Sequence, residues 1–406
     1  SCKLQVRTRW HPLAPLAPLE PLGLYIHIPF CSAICNYCNF NRGLFDAAQK
    51  ARYVDALATE IDRAGRAAGR AGEAGTAGGV GRAADTIYFG GGTPSLLDHS
   101  EIARLIATCR EVFDVTPDAE VTLEANPETV DLPKLAAFRE AGVNRLSFGV
   151  QSFREQELRR LSRLHGVARA RDAFADARHT GFNNVSLDLM MWLPGQSVGE
   201  WLESIDAAIS LSPDHLSLYL LEVYPNAPLK DDMARAHWSQ APDDDAAEMY
   251  VTAMERLEAA GYEQYEISNV SRPGRRSRHN LKYWTDGEWL GFGCGAHGTA
   301  GGLRTKNVAG TDEYIDRIGR VEPAAVEARR LSAAERLGDA LFMGLRLADG
   351  IDLEVVNERY GVDVWQRYSA DLEPFVAAGV LVRRGSRLAL TRPGMLVANE
   401  IMTVFV

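Results

Sequence analysis

The sequence predicts an α/β fold built on an incomplete barrel of six βα units, with a doubly wound parallel sheet as the competing geometry. Three observations carry this. Six short apolar runs recur over about 200 residues, stretches of helical period lie between most of them, and the alternation stops after residue 226.

Taken in order, residues 1–22 place prolines where a signal peptide would have its apolar helix, so they read as a disordered or altered N-terminal segment. The barrel is expected over 23–226. Its strands are LYIHIPF (24–30), TIYFGGG (86–92), EVTLEANP (120–127), RLSFGVQSF (145–153), NVSLDLMMWLPG (184–195) and HLSLYLLEVYP (215–225), each short, apolar and rich in branched or aromatic residues. SEIARLIATCREVF (100–113) and LPKLAAFREAG (132–142) carry apolar residues at helical spacing. Between the first helix and the second strand, residues 65–84 are Gly/Ala/Arg low-complexity sequence and read as a flexible insert without a catalytic role. Residues 227–325 form an extension: a helix at 246–261, a strand at 262–270, then a Gly/Arg/Trp-rich loop region to about 300. Residues 326–406 read as a small helical domain with a wing, whose two short strands flank an RGS turn within 380–391.

At 406 residues, 46% hydrophobic and 24% charged, the chain can bury a sizeable core. A net charge of -10 argues against a dedicated nucleic-acid binder, which needs clustered Lys and Arg. No apolar run approaches the roughly 20 residues that span a bilayer. The cysteines are Cys2, Cys31, Cys35, Cys38, Cys109 and Cys294. Three clustered and three scattered thiols are poor disulfide arithmetic, so a reducing, cytoplasmic setting and a metal site are expected.

Cys31, Cys35 and Cys38, in CSAICNYCNF, follow the first strand and therefore sit at the end where barrels place their chemistry. Three thiolates so close together suit one face of an iron-sulfur cube, whose fourth iron would lack a protein ligand. Structural zinc is the alternative, but it prefers four protein ligands and no second cysteine pair exists. Gly90, Gly91 and Gly92, before Thr93, end the second strand; such a triplet permits close backbone approach to a ligand, and equally makes a tight turn. Glu124, Gln151 and Asp188 end the third, fourth and fifth strands. Each alone serves as well as a helix cap or solvated strand end, and their shared position is what singles them out.

YIHIPFC...CNYCNF resembles the start of radical S-adenosylmethionine (SAM) enzymes. In that family three cysteines hold a 4Fe-4S cluster whose open iron chelates SAM, and reductive cleavage gives methionine and a 5'-deoxyadenosyl radical. FGGGTPSLL, LEANPETV, GVNRLSFGVQSF, LDLMMWLPGQ, HLSLYLLEVYP, YEISNVSRPG, HNLKYW and LGFGCGAHG, in this order, narrow the resemblance to the HemW group of haem chaperones, relatives of oxygen-independent coproporphyrinogen oxidase (HemN). It covers about Leu24 to Gly298, and the C-terminal tail resembles the extra domain of both groups. The resemblance implies that Tyr25, Cys31, Cys35, Cys38, Gly91 and Glu124 serve the cluster and a first SAM. Gly92, Thr93, Gln151, Arg163 and Asp188 fall where the oxidase relatives contact a second SAM. It implies haem as a further ligand, haem-accepting respiratory enzymes as partners, transient membrane contact and a homodimer.

Phe40 stands where the oxidase relatives carry a further cysteine, which tilts the reading towards haem handling and away from its alternative, coproporphyrinogen dehydrogenation through a 5'-deoxyadenosyl radical. In HNLKYW, His279 is a candidate axial ligand to haem iron, with Tyr283 and Trp284 to stack on the macrocycle and Arg272, Arg275, Arg276, Arg278 and Lys282 to pair with propionates. The competing reading has His279 and Asn280 tying down a loop, with the arginines on a solvated face. His27 reads as core, Cys294 as packed and His297 as loop structure near the site.

Overall fold

The computed structural model describes residues 21–72, 83–225 and 227–406, without the side chains of 68–72. Numbering only the long barrel strands, β1 is Leu22–Ile28, β2 Ala83–Gly91, β3 Asp114–Ala125, β4 Arg145–Gln151, β5 Val185–Met191 and β6 His215–Leu220. They lie side by side in sequence order and all pair in parallel. Strands buried on both faces need apolar residues at nearly every position, and Leu24, Ile26 and Ile28 of β1 are fully buried.

The connecting helices start where the sequence supplies caps. Asp98 and Glu101 make a reciprocal capping box before His99–Val112, Ser197 and Glu200 another before Val198–Leu211, and Asp131 accepts from the Lys134 amide to open Leu132–Glu140. Trp201 of Val198–Leu211 is wholly buried and donates its indole N–H to the Met249 carbonyl, tying the barrel to helix Asp243–Ala259 of the extension.

The sheet is open. Beyond β1 it continues through Trp289–Phe292, His297–Ala300, Leu303–Asn307 and Ala325–Arg330, and beyond β6 through Asn269–Ser271 and Glu263–Glu266. The strand expected over 262–270 is therefore an antiparallel hairpin, and the C-terminal unit begins after Arg330 rather than at 326. That unit has its own core, including Leu341, Leu372, Leu388 and Ile401, and the expected wing is the hairpin Leu381–Arg384 with Arg387–Leu390. The first helix, Ala47–Gly72, runs through the first eight positions of the expected flexible insert; 73–82 lie outside the described residues, and Ala83 already begins β2. Residues 1–20 also lie outside them, while Leu22 is the first residue of β1.

Because the six strands are parallel, their C-terminal ends share one edge. The loops there are brought together although they are far apart in sequence.

Candidate functional site

That edge surrounds a cavity of about 420 Å³. Its wall contains Cys31, Cys35 and Cys38; Gly91, Gly92 and Thr93 at the end of β2 and just beyond it; Glu124 at the end of β3; Gln151 at the end of β4; Asp188 on β5; and Arg163. Tyr25 is the one expected SAM residue outside the wall: its ring stacks on Tyr88 at 6.2 Å and its hydroxyl meets His27 Nδ1 at 3.1 Å.

The cysteine loop is pinned from both sides. Phe30–Cys31 pairs with Gly43–Leu44, Asn36 donates to the Arg160 carbonyl and to Asp232 at 2.8 Å each, and the Cys38 amide closes a turn on the Cys35 carbonyl. Two sulfurs already accept hydrogen bonds, Cys31 from Thr93 Oγ1 at 3.6 Å and Cys35 from Arg163 Nη1 at 3.5 Å. Burial pushes the Cys31 and Cys38 thiols up, with Thr93 and the Phe40 amide, respectively, the largest influences acting the other way.

The glycines are also required by packing within the protein. A Cβ on Gly91, whose φ is +117°, would lie 2.5 Å from the His27 ring, and one on Gly92 would lie 2.8 Å from the Phe30 carbonyl oxygen. Their missing side chains thus make room for β1 and the cysteine loop, and both residues line the cavity. At the end of β4 the register with β5 shifts between Gly149 and Gln151, and Gln151 sits at φ 68°. This irregularity re-aims Gln151 at the cavity, at the cost of a backbone conformation that a non-glycine residue rarely holds.

Two carboxyls lie deep in the wall. Glu124 accepts from the Tyr88 hydroxyl at 2.8 Å and from the Gly91 amide at 3.0 Å, and burial pushes it up to about 7. Asp188 accepts from Ser147 Oγ at 3.1 Å and is likewise raised by burial. For Glu124 the folded state holds its proton more tightly than the unfolded chain. Stability therefore falls as pH climbs from about 4.5 to about 7, by about 3 kcal/mol at roughly 1.4 kcal/mol per pH unit. Glu124→Gln keeps partners for Tyr88 and Gly91. Denaturant titration of the cofactor-free protein should show the variant gaining on the parent across that window; parallel pH profiles would contradict the assignment.

The donor set fits an iron-sulfur cluster with a small polar ligand. The thiolates are soft ligands, and Gln151 Oε1, Arg163 Nε and Arg42 Nε are buried without hydrogen-bond partners in residues lining the cavity. Among the described residues no three His, Cys, Asp or Glu side chains gather as a single metal ion would require. Sequence reasoning missed Asn126, which donates to Thr93 Oγ1 and accepts from Arg163, and Arg42, which binds the Cys38 and Phe40 carbonyls. Asn126 was findable, since it lies two residues beyond Glu124 in the strand period.

The HNLKYW segment lies at the opposite end of the barrel, and the haem-ligand reading of His279 does not survive its placement. His279 is wholly buried, with Nδ1 2.8 Å from Thr86 Oγ1 and Nε2 2.9 Å from the Tyr283 hydroxyl; burial lowers it to about 3. Both ring nitrogens are thus engaged, leaving none for iron. The bases meant for propionates are committed too: Arg278 and Lys282 to Asp85, Arg275 to Asp214, Arg276 to Asp349, while Arg272 lies over the Tyr262 ring. Helix Arg278–Trp284 is a floor under the barrel, its first amides held by Glu120. His27 and Cys294 are buried as expected, whereas His297 is exposed on a strand and does not line the mouth. A second cavity, about 780 Å³, opens between the extension and the C-terminal unit; Tyr283 and Trp289 lie in its wall, and no cysteine does.

Fold and mouth together define a class. A family model described as the radical SAM superfamily matches residues 25–208, and one described as the HemN C-terminal domain matches 331–397. Coproporphyrinogen III oxidase (HemN) from Escherichia coli, a radical SAM enzyme, shares the fold with a TM-score of 0.82 over 96% of this chain and 91% of that one, at 24% identity. The heme chaperone HemW of Bacillus subtilis is 36% identical over 382 residues, 94% of this chain and 98% of the relative; that of Escherichia coli is 41% identical over 285 residues, 70% and 71% of the two. The chain belongs to the HemW family of the radical SAM superfamily.

Proposed function

We propose that the protein is a cytoplasmic haem carrier that holds a 4Fe-4S cluster on Cys31, Cys35 and Cys38, binds SAM beside it, and delivers haem to respiratory enzymes. The observation that carries this is the meeting of three cysteines, two glycines and the strand-end residues Glu124, Gln151 and Asp188 around one cavity. A bound cluster would supply one electron at a time and an open iron for the methionyl end of SAM. The chain's own part is to position and shield. Thr93 and Arg163 hold two sulfurs, and the Gly91 peptide is fixed by Glu124. Asp188 and Gln151 offer acceptors for a polar ligand. The five described cysteines are all free thiols.

Haem is assigned to the rim of the same mouth. Ile34, Phe40, Tyr219, Leu220 and Tyr224 keep 38–66% of their surface exposed, and all five line the cavity. Apolar side chains left in water around one opening suit a flat, apolar ligand. Phe40, the most exposed of them, can pack on a macrocycle. The test is anaerobic reconstitution followed by addition of SAM and haem. One haem per chain should bind and move to an apo-acceptor, and Phe40→Glu should weaken haem binding about tenfold without changing cluster content, as expected for about 1.4 kcal/mol of lost apolar contact. Failure of the parent to bind haem, or protoporphyrinogen formation from coproporphyrinogen, would overturn the carrier reading.

A further inference from the structure

Arg163 has two guanidinium nitrogens committed within the protein, and the commitments converge on the cysteine loop. Nη2 donates to Asn126 Oδ1 at 2.7 Å and to the Gly149 carbonyl at 2.8 Å, which fixes the fork to the ends of β3 and β4. Nη1 then lies 3.5 Å from Cys35 Sγ. The side chain is half-buried, and Tyr37, Cys35 and Glu128 face its charge. Glu128 is itself engaged by His165 at 3.0 Å, and Cys35 carries the sulfur on which the fork bears.

The geometry assigns Arg163 as a positioning residue that tunes the cluster through the Cys35 sulfur, rather than as a contact to SAM alone. The inference rests on the proposed 4Fe-4S cluster. A hydrogen bond to a ligating sulfur, carrying a fixed positive charge, favours the reduced and more negative form of a cluster, because the added electron meets a donor already in place. The planar fork matters as well as the charge. Asn126 and Gly149 fix one side of it, and only a second nitrogen in the same plane can then reach the sulfur.

The experiment is a redox titration of the reconstituted protein, without SAM, followed by electron paramagnetic resonance. Arg163→Gln should still assemble the cluster but lower its potential, with about a tenfold smaller reduced fraction at fixed poise, equivalent to about 59 mV for a one-electron couple. Arg163→Lys should fall between, keeping the charge and losing the fork. Asn126→Ala, which removes the anchor and leaves the arginine, should shift the potential in the same direction by less. Clusters that assemble in every variant at the parent potential would overturn the inference while leaving the cluster itself intact; Arg163 would then act only on ligand. A parent that assembles no 4Fe-4S cluster would overturn the reading beneath it. Should Arg163→Gln and Asn126→Ala both lose the cluster, proton hyperfine spectroscopy of the parent decides. An exchangeable proton coupled to the cluster and lost in Arg163→Lys supports the assignment, and its absence refutes it.

Discussion

Replacing any one of Cys31, Cys35 or Cys38 with alanine is expected to remove the iron-sulfur chromophore altogether. With three protein ligands for four irons, the cube has none to spare. Among the described residues no other cysteine takes over: Cys109 and Cys294 are wholly buried, neither lines the cavity, and the Cys294 sulfur lies 3.7 Å from both Asn41 and Thr311. Loss of a mere supporting hydrogen bond typically costs a metal site 10–100-fold, so loss of a ligand should exceed about 100-fold. Iron and sulfide should fall to background after reconstitution. Circular dichroism should stay unchanged for Cys35→Ala and Cys38→Ala, since both residues are half-buried and outside the core cluster. A single-alanine variant with full iron and the parent spectrum would refute the three-cysteine assignment.

Gly91→Ala is expected to be nearly as damaging, and by another route. The new Cβ would meet His27 Cε1 at 2.5 Å, with a backbone φ of +117° that L side chains rarely adopt. Strain of this kind costs about 1–3 kcal/mol, and forcing an extra methyl into a filled site costs about as much again. His27 cannot move without consequence, because its Nε2 meets the Asn41 carbonyl at 2.8 Å and its Nδ1 the Tyr25 hydroxyl. The variant should lose about 2–6 kcal/mol in denaturant titration, and the cluster should bind SAM poorly. Gly199→Ala is the control: that Cβ meets nothing within 4 Å, and the helix should be unaffected or gain. Equal stability of the two variants would show that the contact with His27 is not confining.

The strand ends were legible because parallel βα units bring every strand's last residues to one face whatever their separation in sequence. Glu124, Gln151 and Asp188 could be read this way, although Gln151 reaches the cavity only through an irregularity that no period-two pattern announces. The cysteine loop stood out by its spacing, which by itself left zinc as an alternative. Less visible was what lies across the chain: Asn126 keeps the strand period but its partners Thr93 and Arg163 do not, and Arg42 acts through carbonyls that leave no periodic trace. HNLKYW misled for a related reason. His, Tyr and clustered bases make a plausible ligand set in sequence, but the carboxylates that claim those bases, Asp85, Asp118, Asp214 and Asp349, come from four other segments. The low-complexity insert was misread at its start because alanine and arginine continue a helix already under way, as Ala47–Gly72 shows.

The floor under the barrel, with His279 stacked 5.0 Å from Tyr88 and Tyr88 hydrogen-bonded to Glu124, puts a packed column beneath the chamber, whose exposed apolar side chains stand at its rim. A chamber loaded from its rim imposes a queue. If haem rests on the rim, it stands in the threshold, so cluster and SAM must already be seated, and whatever SAM becomes must wait for haem to depart. Loading and unloading would then follow a compulsory sequence, in which possession of haem reports that the interior is complete.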